Sequence, residues 1–418
     1  MSDPDVIVVG AGVAGLSAAA ALRAAGRNCV VLEADRRIGG RAHTVQVGAD
    51  AFDLGATWLH DADRNPLAAL AEAAGEHLID ADAKRRRVLV MGGRLAEAAD
   101  EAAHAAAAAL FDRVCHARAA QDPDISVTEA IAAIRDDPWM DTIETWEAAQ
   151  IAAADPRRFS VRDWSANDLL GRNLWAMGGI GALVERRLLP LAGKVSLGTA
   201  VTAIAWGGDG VTVHSAGGTL RARSCIVTVS VGVLAANAIT FDPPLPDSHQ
   251  AAIAGLPMGL LTKVALHVPG GQLLGMAHGT VLRRKLDRAL EPAMSFHFWP
   301  EGAAHIAGFV GGPVAWELAR AGAGATQAFA RQQLERSLGP QAAAHVGEIT
   351  VSGWGTDLLH RGAYTYALPG QAGARAVLGT KLADGRLVFA GEAVCTDGLA
   401  GTVGGAFRSG QRAAALAV

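Results

Sequence analysis

Asp5-Val-Ile-Val-Val-Gly10-Ala-Gly12-Val-Ala-Gly15 reads as an apolar strand that runs straight into a glycine-rich turn, and Val13 to Ala25 behind it suits a helix stopped at Gly26. Cys29 to Leu32 resumes the apolar run, so residues 5 to 33 make one strand-helix-strand unit. Glycines at 10, 12 and 15 let the backbone approach a pyrophosphate, whose charge is met by the N–H groups and dipole of the following helix. Glu33 ends the second strand, where a carboxylate can accept both hydroxyls of an adenosine ribose. An ordinary turn with a surface glutamate would not need all of these features together.

Further along, Arg36-Arg37-Ile-Gly39-Gly40-Arg41 places two glycines and a fixed positive charge about one turn past the second strand, where an arginine reaches phosphates. An NAD site does not need this extension. Asp53-Leu-Gly55-Ala-Thr57-Trp58-Leu-His60 adds another glycine-relieved approach with an aromatic behind it; for Trp58 alone, core packing and ligand contact remain equally open. At the other end, Phe389-Ala-Gly391-Glu392 and Gly401-Thr402-Val403 follow the only two tyrosines, Tyr364 and Tyr366. A dinucleotide held by both extremities of the chain is the expectation.

The 418 residues are half hydrophobic, enough for a large core and for two domains. The net charge of -4 comes from interspersed signs. Neither Lys84-Arg85-Arg86-Arg87 nor Arg283-Arg284-Lys285 extends into a basic stripe; both are expected on solvated faces or turns, with no nucleic acid as partner. Cys29, Cys115, Cys225 and Cys395 show neither metal-ligand spacing nor a paired framework, which predicts reduced thiols of a cytoplasmic protein and no metal. A strand starting almost at Met1 predicts no signal peptide, and no apolar run reaches the ~18 residues of a membrane span.

The periodicity turns helical from Pro66 to about Ala120, where Leu95 to Ala120 is alanine-rich, and again over the tryptophan-bearing Asp137 to Trp175. These segments are expected to form a cap. Lys194-Val-Ser-Leu, Ala200 to Ala205, Gly210 to His214 and Cys225 to Val229 read as short strands returning to the nucleotide domain, and residues 249 to 356 alternate helix and strand. The expected fold class is α/β, with residues 1–76, 178–248 and 357–418 as a discontinuous Rossmann-like domain. Residues 77–177 and 249–356 are expected to form a second, α+β domain bearing the helical cap.

These motifs, taken in order with Asn65-Pro66, Thr228-Val-Ser-Val-Gly-Val-Leu234, Gly259-Leu-Leu-Thr-Lys263, Trp354 to Gly370 and Gly401 to Ala406, resemble the flavin monoamine oxidases, and among them most the polyamine oxidases. The resemblance covers the three nucleotide-binding stretches and hardly touches the cap. It implies a glutathione-reductase-like FAD fold, with Gly10, Gly12, Gly15, Gly39, Gly40, Gly55 and Gly391 admitting the cofactor. Glu33 would bind adenosine ribose, Arg41 the phosphates, Val201 adenine through its backbone and Glu392 the ribityl chain. Thr57 and Trp58 would border the flavin, and Thr402 and Val403 would sit at its pyrimidine edge. A helix N-terminus there stabilises negative charge on a reduced flavin.

Lys263 matches the family lysine that holds a water against flavin N5, Tyr364 the tyrosine that walls the substrate chamber, and Trp354 a tryptophan beside it. Read from spacing alone, Lys263 is an ordinary strand lysine with its head in solvent, and Tyr366, two residues on from Tyr364, is expected on the same strand face, with core packing as the alternative. Ala363 stands where mitochondrial relatives attach FAD through cysteine, which implies non-covalent FAD. The implied activity is oxidation of a primary, secondary or polyamine at the carbon next to nitrogen, with hydride passing to flavin N5, hydrolysis of the imine, and O2 reduced to hydrogen peroxide. An L-amino acid oxidase on the same fold needs an arginine fork for which no residue stands out; an FAD-bearing scaffold without turnover would not need Lys263 and Tyr364. Glu144, Glu147, Asp163 and Asp168 in the cap read as acids on solvated helix faces. Monomer and homodimer stay equally open.

Overall fold

The computed structural model describes residues 3–270, 274–298 and 303–417. Val6–Val9, four β-branched residues buried on both faces, is the middle strand of a five-stranded parallel sheet. Cys29–Leu32 and then Val195–Ser196 lie on one side of it, Ser224–Val227 and then Leu387–Phe389 on the other. The helices Val13–Ala24 and Val403–Leu416 cover one face, so the two ends of the chain pack together. Their contact is close because Gly410 has no side chain: a Cβ there would stand 2.1 Å from the Ala14 carbonyl oxygen. Ser17 Oγ also donates to the Phe407 carbonyl at 2.8 Å.

Not all the short strands after residue 188 enter this sheet. Val201–Ala205, Val211–Ser215, Gly218–Ala222 and Thr240–Asp242 form a separate four-stranded sheet. It lies against the other face of the parallel sheet, where Val201, Ile204 and Val213 join Ile7, Val9 and Leu32 in one apolar cluster. A strand with a single apolar face packs well as such a cover.

The largest sheet has seven strands, in the order Ile349–Val351, Leu261–His267, His305–Gly311, Ser295–His297, Thr280–Arg284, Arg86–Met91 and Arg94–Leu95. Thus the helical reading of 66–120 fails in its middle. Helices Pro66–Ala73 and Ala98–Ala119 flank the strands Leu78–Asp80, Arg86–Met91 and Arg94–Leu95. Arg86 to Val90 pairs in parallel with residues 280–284, a partner that local periodicity does not contain. Likewise 137–175 is only partly helical. It holds Met140–Glu144, a π-helical turn over Thr145–Ile151, Val161–Ala166 and finally a strand, Leu174–Ala176, which places Trp175 opposite Trp58.

The π-helical turn is pressed onto the large sheet through glycines: a Cβ on Gly311 would lie 2.5 Å from the Ala149 carbonyl oxygen. Arg283, expected in solvent, is enclosed there instead. Its guanidinium lies 5.5 Å over the Trp146 ring and 3.3 Å from Glu147, because the cap covers that face of the strand. Arg284, on the alternate face, pairs with Glu291 at 3.0 Å. All four cysteines are free thiols. Among the described residues no helix is long and apolar enough to cross a membrane, and no group of three His, Cys, Asp or Glu side chains is arranged to hold a metal.

Gly10 has φ +104°, and a Cβ on Gly15 would stand 1.9 Å from the Gly10 carbonyl oxygen, whereas a Cβ on Gly12 would meet nothing within 4 Å. Gly15→Ala should therefore destabilise the cofactor-free chain by about 1–3 kcal/mol. Gly12→Ala should change its stability by less than about 0.5 kcal/mol. Urea unfolding of the two variants checks this, and equal losses would refute the contrast.

Candidate active site

The C-terminal ends of the parallel strands converge on the glycine turn. Glu33 accepts from the backbone N–H of Ala11 at 2.6 Å and of Asp35 at 2.8 Å, while burial pushes its carboxyl above the usual range. The Thr199 N–H donates to the Glu33 carbonyl at 2.7 Å, which brings the strand that opens with Val201 alongside. Gly39, at φ +93°, bridges to Gly12, and a Cβ on Gly40 would be 3.3 Å from the Gly12 Cα. The Gly39-Gly40 loop is thereby laid on the glycine turn, and Arg41 emerges beside it.

Arg41 Nη1 donates to the Ala363 carbonyl at 2.8 Å and to Glu392 Oε1 at 2.9 Å. The Arg41 backbone meets the next segment too: a Cβ on Gly55 would stand 1.7 Å from the Arg41 carbonyl oxygen and 3.2 Å from the Trp354 ring. Trp354 is fixed there by its Nε1–H, which donates to the Leu54 carbonyl at 2.8 Å. Thr402 caps the C-terminal helix, accepting from the Gly405 N–H at 3.0 Å, with Val403 as its first residue. The Tyr364 ring would lie 3.5 Å from a Cβ on Gly401, and its hydroxyl donates to the Ile151 carbonyl on the cap. Thr402 and Tyr364 therefore stand at one place.

Lys263 does not reach solvent. It is 5% exposed, and its Nζ donates to the Gly55 carbonyl and to Thr57 Oγ1, with the Asp53 carbonyl at 3.5 Å. The rings of Trp58 and Phe309 lie 5.6 Å and 5.4 Å away. Its strand is buried on both faces from Thr262 to Leu266, and the segment Asp53 to Trp58 covers the face on which the lysine stands. Burial lowers the ammonium to a pKa of about 8, and the Asp53 carboxylate opposes that shift in part.

Lys263, Thr57, Trp58, Gly55 and Trp354 are thus gathered at one end of the cradle, Glu33 and Val201 stand at the other, and Arg41 and Glu392 lie between. Tyr366 stays outside the group, packed edge-on against Phe159 at 5.7 Å as core. Phe309, His297 and Trp175, which line a cavity with Thr57 and Trp58, belong to no motif and were not anticipated. The strand with Phe309 is buried along its whole length and those with His297 and Trp175 are three residues long, so no local pattern singles these residues out. The four cap acids are all partnered: Glu144 with Arg135 at 2.7 Å, Glu147 with Arg283, Asp163 with Arg375 at 2.7 Å, and Asp168 with His116 at 3.1 Å. Glu144 and Asp163 are buried, which overturns the solvated reading for them. The open space over Gly12, the Glu33 carboxylate, Arg41 and the Thr402-capped helix fit a flavin adenine dinucleotide laid from Val201 to Thr57.

A lysine depressed to about 8 from 10.5 releases, on folding, a proton that the unfolded chain still holds between those values, so stability rises with pH across that window. Lys263→Met keeps length and apolar bulk and does not titrate. In urea unfolding of the cofactor-free proteins, wild type should gain on the variant from about pH 8 to 10.5; parallel pH profiles would mean a solvated ammonium.

The family model for flavin containing amine oxidoreductase matches residues 13–418. Polyamine oxidase 4 of Oryza sativa subsp. japonica is 30% identical over 449 residues, covering 99% of this chain and 88% of that protein. Among solved structures, cyclohexylamine oxidase from Brevibacterium oxydans IH-35A superposes with a TM-score of 0.82 at 25% identity, covering 99% of this chain and 98% of the other. Putrescine oxidase bound to putrescine shares the fold, with a TM-score of 0.81 at 22% identity and coverage of 99% and 98%. The chain belongs to the flavin-containing amine oxidoreductases and is an FAD-dependent amine oxidase.

Proposed function

We propose that the substrate is a primary or secondary amine, polyamines included, held uncharged against Tyr364 and Trp58, and that FAD is bound without a covalent link. The observation that carries this reading is the enclosure of Lys263 by Thr57, Trp58 and Phe309. A cation fixed among apolar rings disfavours a second ammonium at the reacting end, so the amine reacts as its free base. Bound FAD would supply the hydride acceptor and the redox couple with O2 that yields hydrogen peroxide. The chain's own residues do the rest. Tyr364, Trp58 and Phe309 exclude water and orient the carbon next to nitrogen. Lys263 and Thr57 place a hydrogen-bonding, titrating group at the edge of the chamber. Glu33, Arg41 and Glu392 bind.

An α-amino acid would need a guanidinium free to grip its carboxylate. Arg41 turns Nη1 to Glu392 and Ala363, and the nearby Arg375 has a hydrogen bond on every N–H it owns, whereas Arg361 beside the aromatic motif keeps a buried Nε without a partner. Ala363 offers only a carbonyl where a thiol would attach flavin, and Cys395 is buried with its pKa pushed up to about 11.

Acid precipitation of the yellow holoenzyme should release the flavin into the supernatant; colour retained by the polypeptide would contradict non-covalent binding. Under anaerobic conditions a polyamine or secondary amine should bleach the flavin faster than any L-amino acid. A faster amino acid would overturn the substrate class.

A further inference from the structure

Between the cap and the cofactor cradle runs a buried chain of alternating charge. Asp163, on the cap helix Val161–Ala166, is 3% exposed, and Arg375, on Ala374–Leu378, is 4% exposed. Arg375 Nε and Nη2 donate to the two Asp163 oxygens at 2.7 Å and 2.8 Å. Nη1 donates to Thr365 Oγ1 at 2.9 Å and to the Ala393 carbonyl at 3.2 Å, and Nη2 also donates to the Thr365 carbonyl at 3.1 Å. A guanidinium has five N–H donors, and all five are spent. Thr365 Oγ1 in turn donates to Glu392 Oε2 at 2.7 Å, and Glu392 Oε1 accepts from Arg41. Asp163 Oδ2 takes in addition the Ala367 N–H at 2.8 Å.

The residue clamped from both sides is Thr365, whose N–H faces the Glu392 carboxylate at 3.3 Å while its carbonyl and hydroxyl oxygens accept from Arg375. Its neighbour in the two-residue strand Tyr364–Thr365 is the aromatic wall. Backbone bonds from the Ala363, Tyr366 and Leu368 N–H groups to the Gly259, Pro257 and Gly255 carbonyls lay the segment along residues 255–259, but the polar groups of Thr365 itself are left to side chains. The fine setting of Thr365 beside Tyr364, and of the Glu392 carboxylate next to Arg41, therefore depends on side chains.

We propose that Arg375 is a positioning residue of the oxidase: through Thr365 and Glu392 it sets the Tyr364 wall and the Arg41 end of the cradle relative to the cap, without itself touching substrate or cofactor. This rests on the reading of Tyr364 as a chamber wall. Lysine has the charge but three donors on one atom, so it cannot reproduce the fork on Asp163 together with the three bonds to Thr365 and Ala393.

The test uses the FAD-saturated holoenzyme of Arg375→Lys, Asp163→Asn, the double variant and Tyr364→Ala, reading anaerobic flavin reduction by an amine, visible circular dichroism of the flavin, and the unfolding midpoint. Arg375→Lys is expected to slow flavin reduction by about 10- to 100-fold at full flavin occupancy, the scale of a small misplacement of reacting groups, and to alter the visible dichroism. Asp163→Asn should do the same, and the double variant should add little, because both cut one chain. An Arg375→Lys enzyme that melts lower but reduces at the wild-type rate with an unchanged visible spectrum overturns the proposal and leaves Arg375 a structural ion pair. If Arg375→Lys fails to fold, Thr365→Val, which cuts the chain at its uncharged link, carries the same expectation and the same refutation. A wild-type rate in Tyr364→Ala would sink the wall assignment and the proposal with it; a slow Tyr364→Ala beside an unaffected Arg375→Lys overturns the proposal alone.

Discussion

Gly55 is the point at which the site is tightest. A side chain there would overlap the Arg41 carbonyl and the edge of Trp354, and its own carbonyl accepts a hydrogen bond from the Lys263 ammonium. Three distant stretches of chain therefore meet on one backbone unit. The Arg41 end binds Glu392 and Ala363, the Trp354 end holds Leu54, and the Lys263 end faces Trp58 and Phe309. Any larger residue would push the glycine-rich loop away from the sheet that carries the lysine, separating Arg41 and Glu392 from Lys263, Trp58 and Phe309.

Burying Lys263 is the costly part of that arrangement. Its shift from 10.5 to about 8 corresponds to roughly 3 kcal/mol of lost preference for the charged form. The loss is limited by the oxygens of Gly55, Thr57 and Asp53 and by two aromatic faces. A cation kept this poorly solvated senses small changes of charge beside it, which is useful where electrons and protons move. The same economy of pairing appears elsewhere. Glu392 and Asp163 each face an arginine, and the cap acids Glu144 and Glu147 do as well. A buried ion left without its partner is more damaging than no ion at all, so Asp163–Arg375 and Glu147–Arg283 tie the cap to the rest of the molecule, while Glu144–Arg135 braces the cap internally.

The cap is also where the sequence was least legible. Residues 86–91 join the large sheet through a parallel neighbour almost two hundred positions later, and a window along the chain sees only a basic run followed by valines. The strand Leu174–Ala176 is three residues long and exists because Trp58–Leu59 and Leu78–Asp80 flank it. Arg283 and Asp163 carried every mark of surface residues. Their burial follows from what covers them, the π-helical turn in one case and the Tyr364 to Ala367 segment in the other.

The sequence by itself determined the parts whose physics is local. The strand, glycine turn and helix from Val6 to Ala24, the acidic residue ending the next strand and the threonine cap before Val403 all lie in contiguous stretches whose backbone demands are written in residue type. Family motifs named Lys263, Tyr364 and Arg41 for the same reason, as short patterns. Only the tertiary structure decided whether the Lys263 head is wet or dry, because its covering carbonyl on Gly55 is 208 residues away, and that Arg375 grips Asp163 across 212 residues. Burial and pairing between such distant segments depend on which surfaces the fold brings together, and no spacing along the chain encodes that.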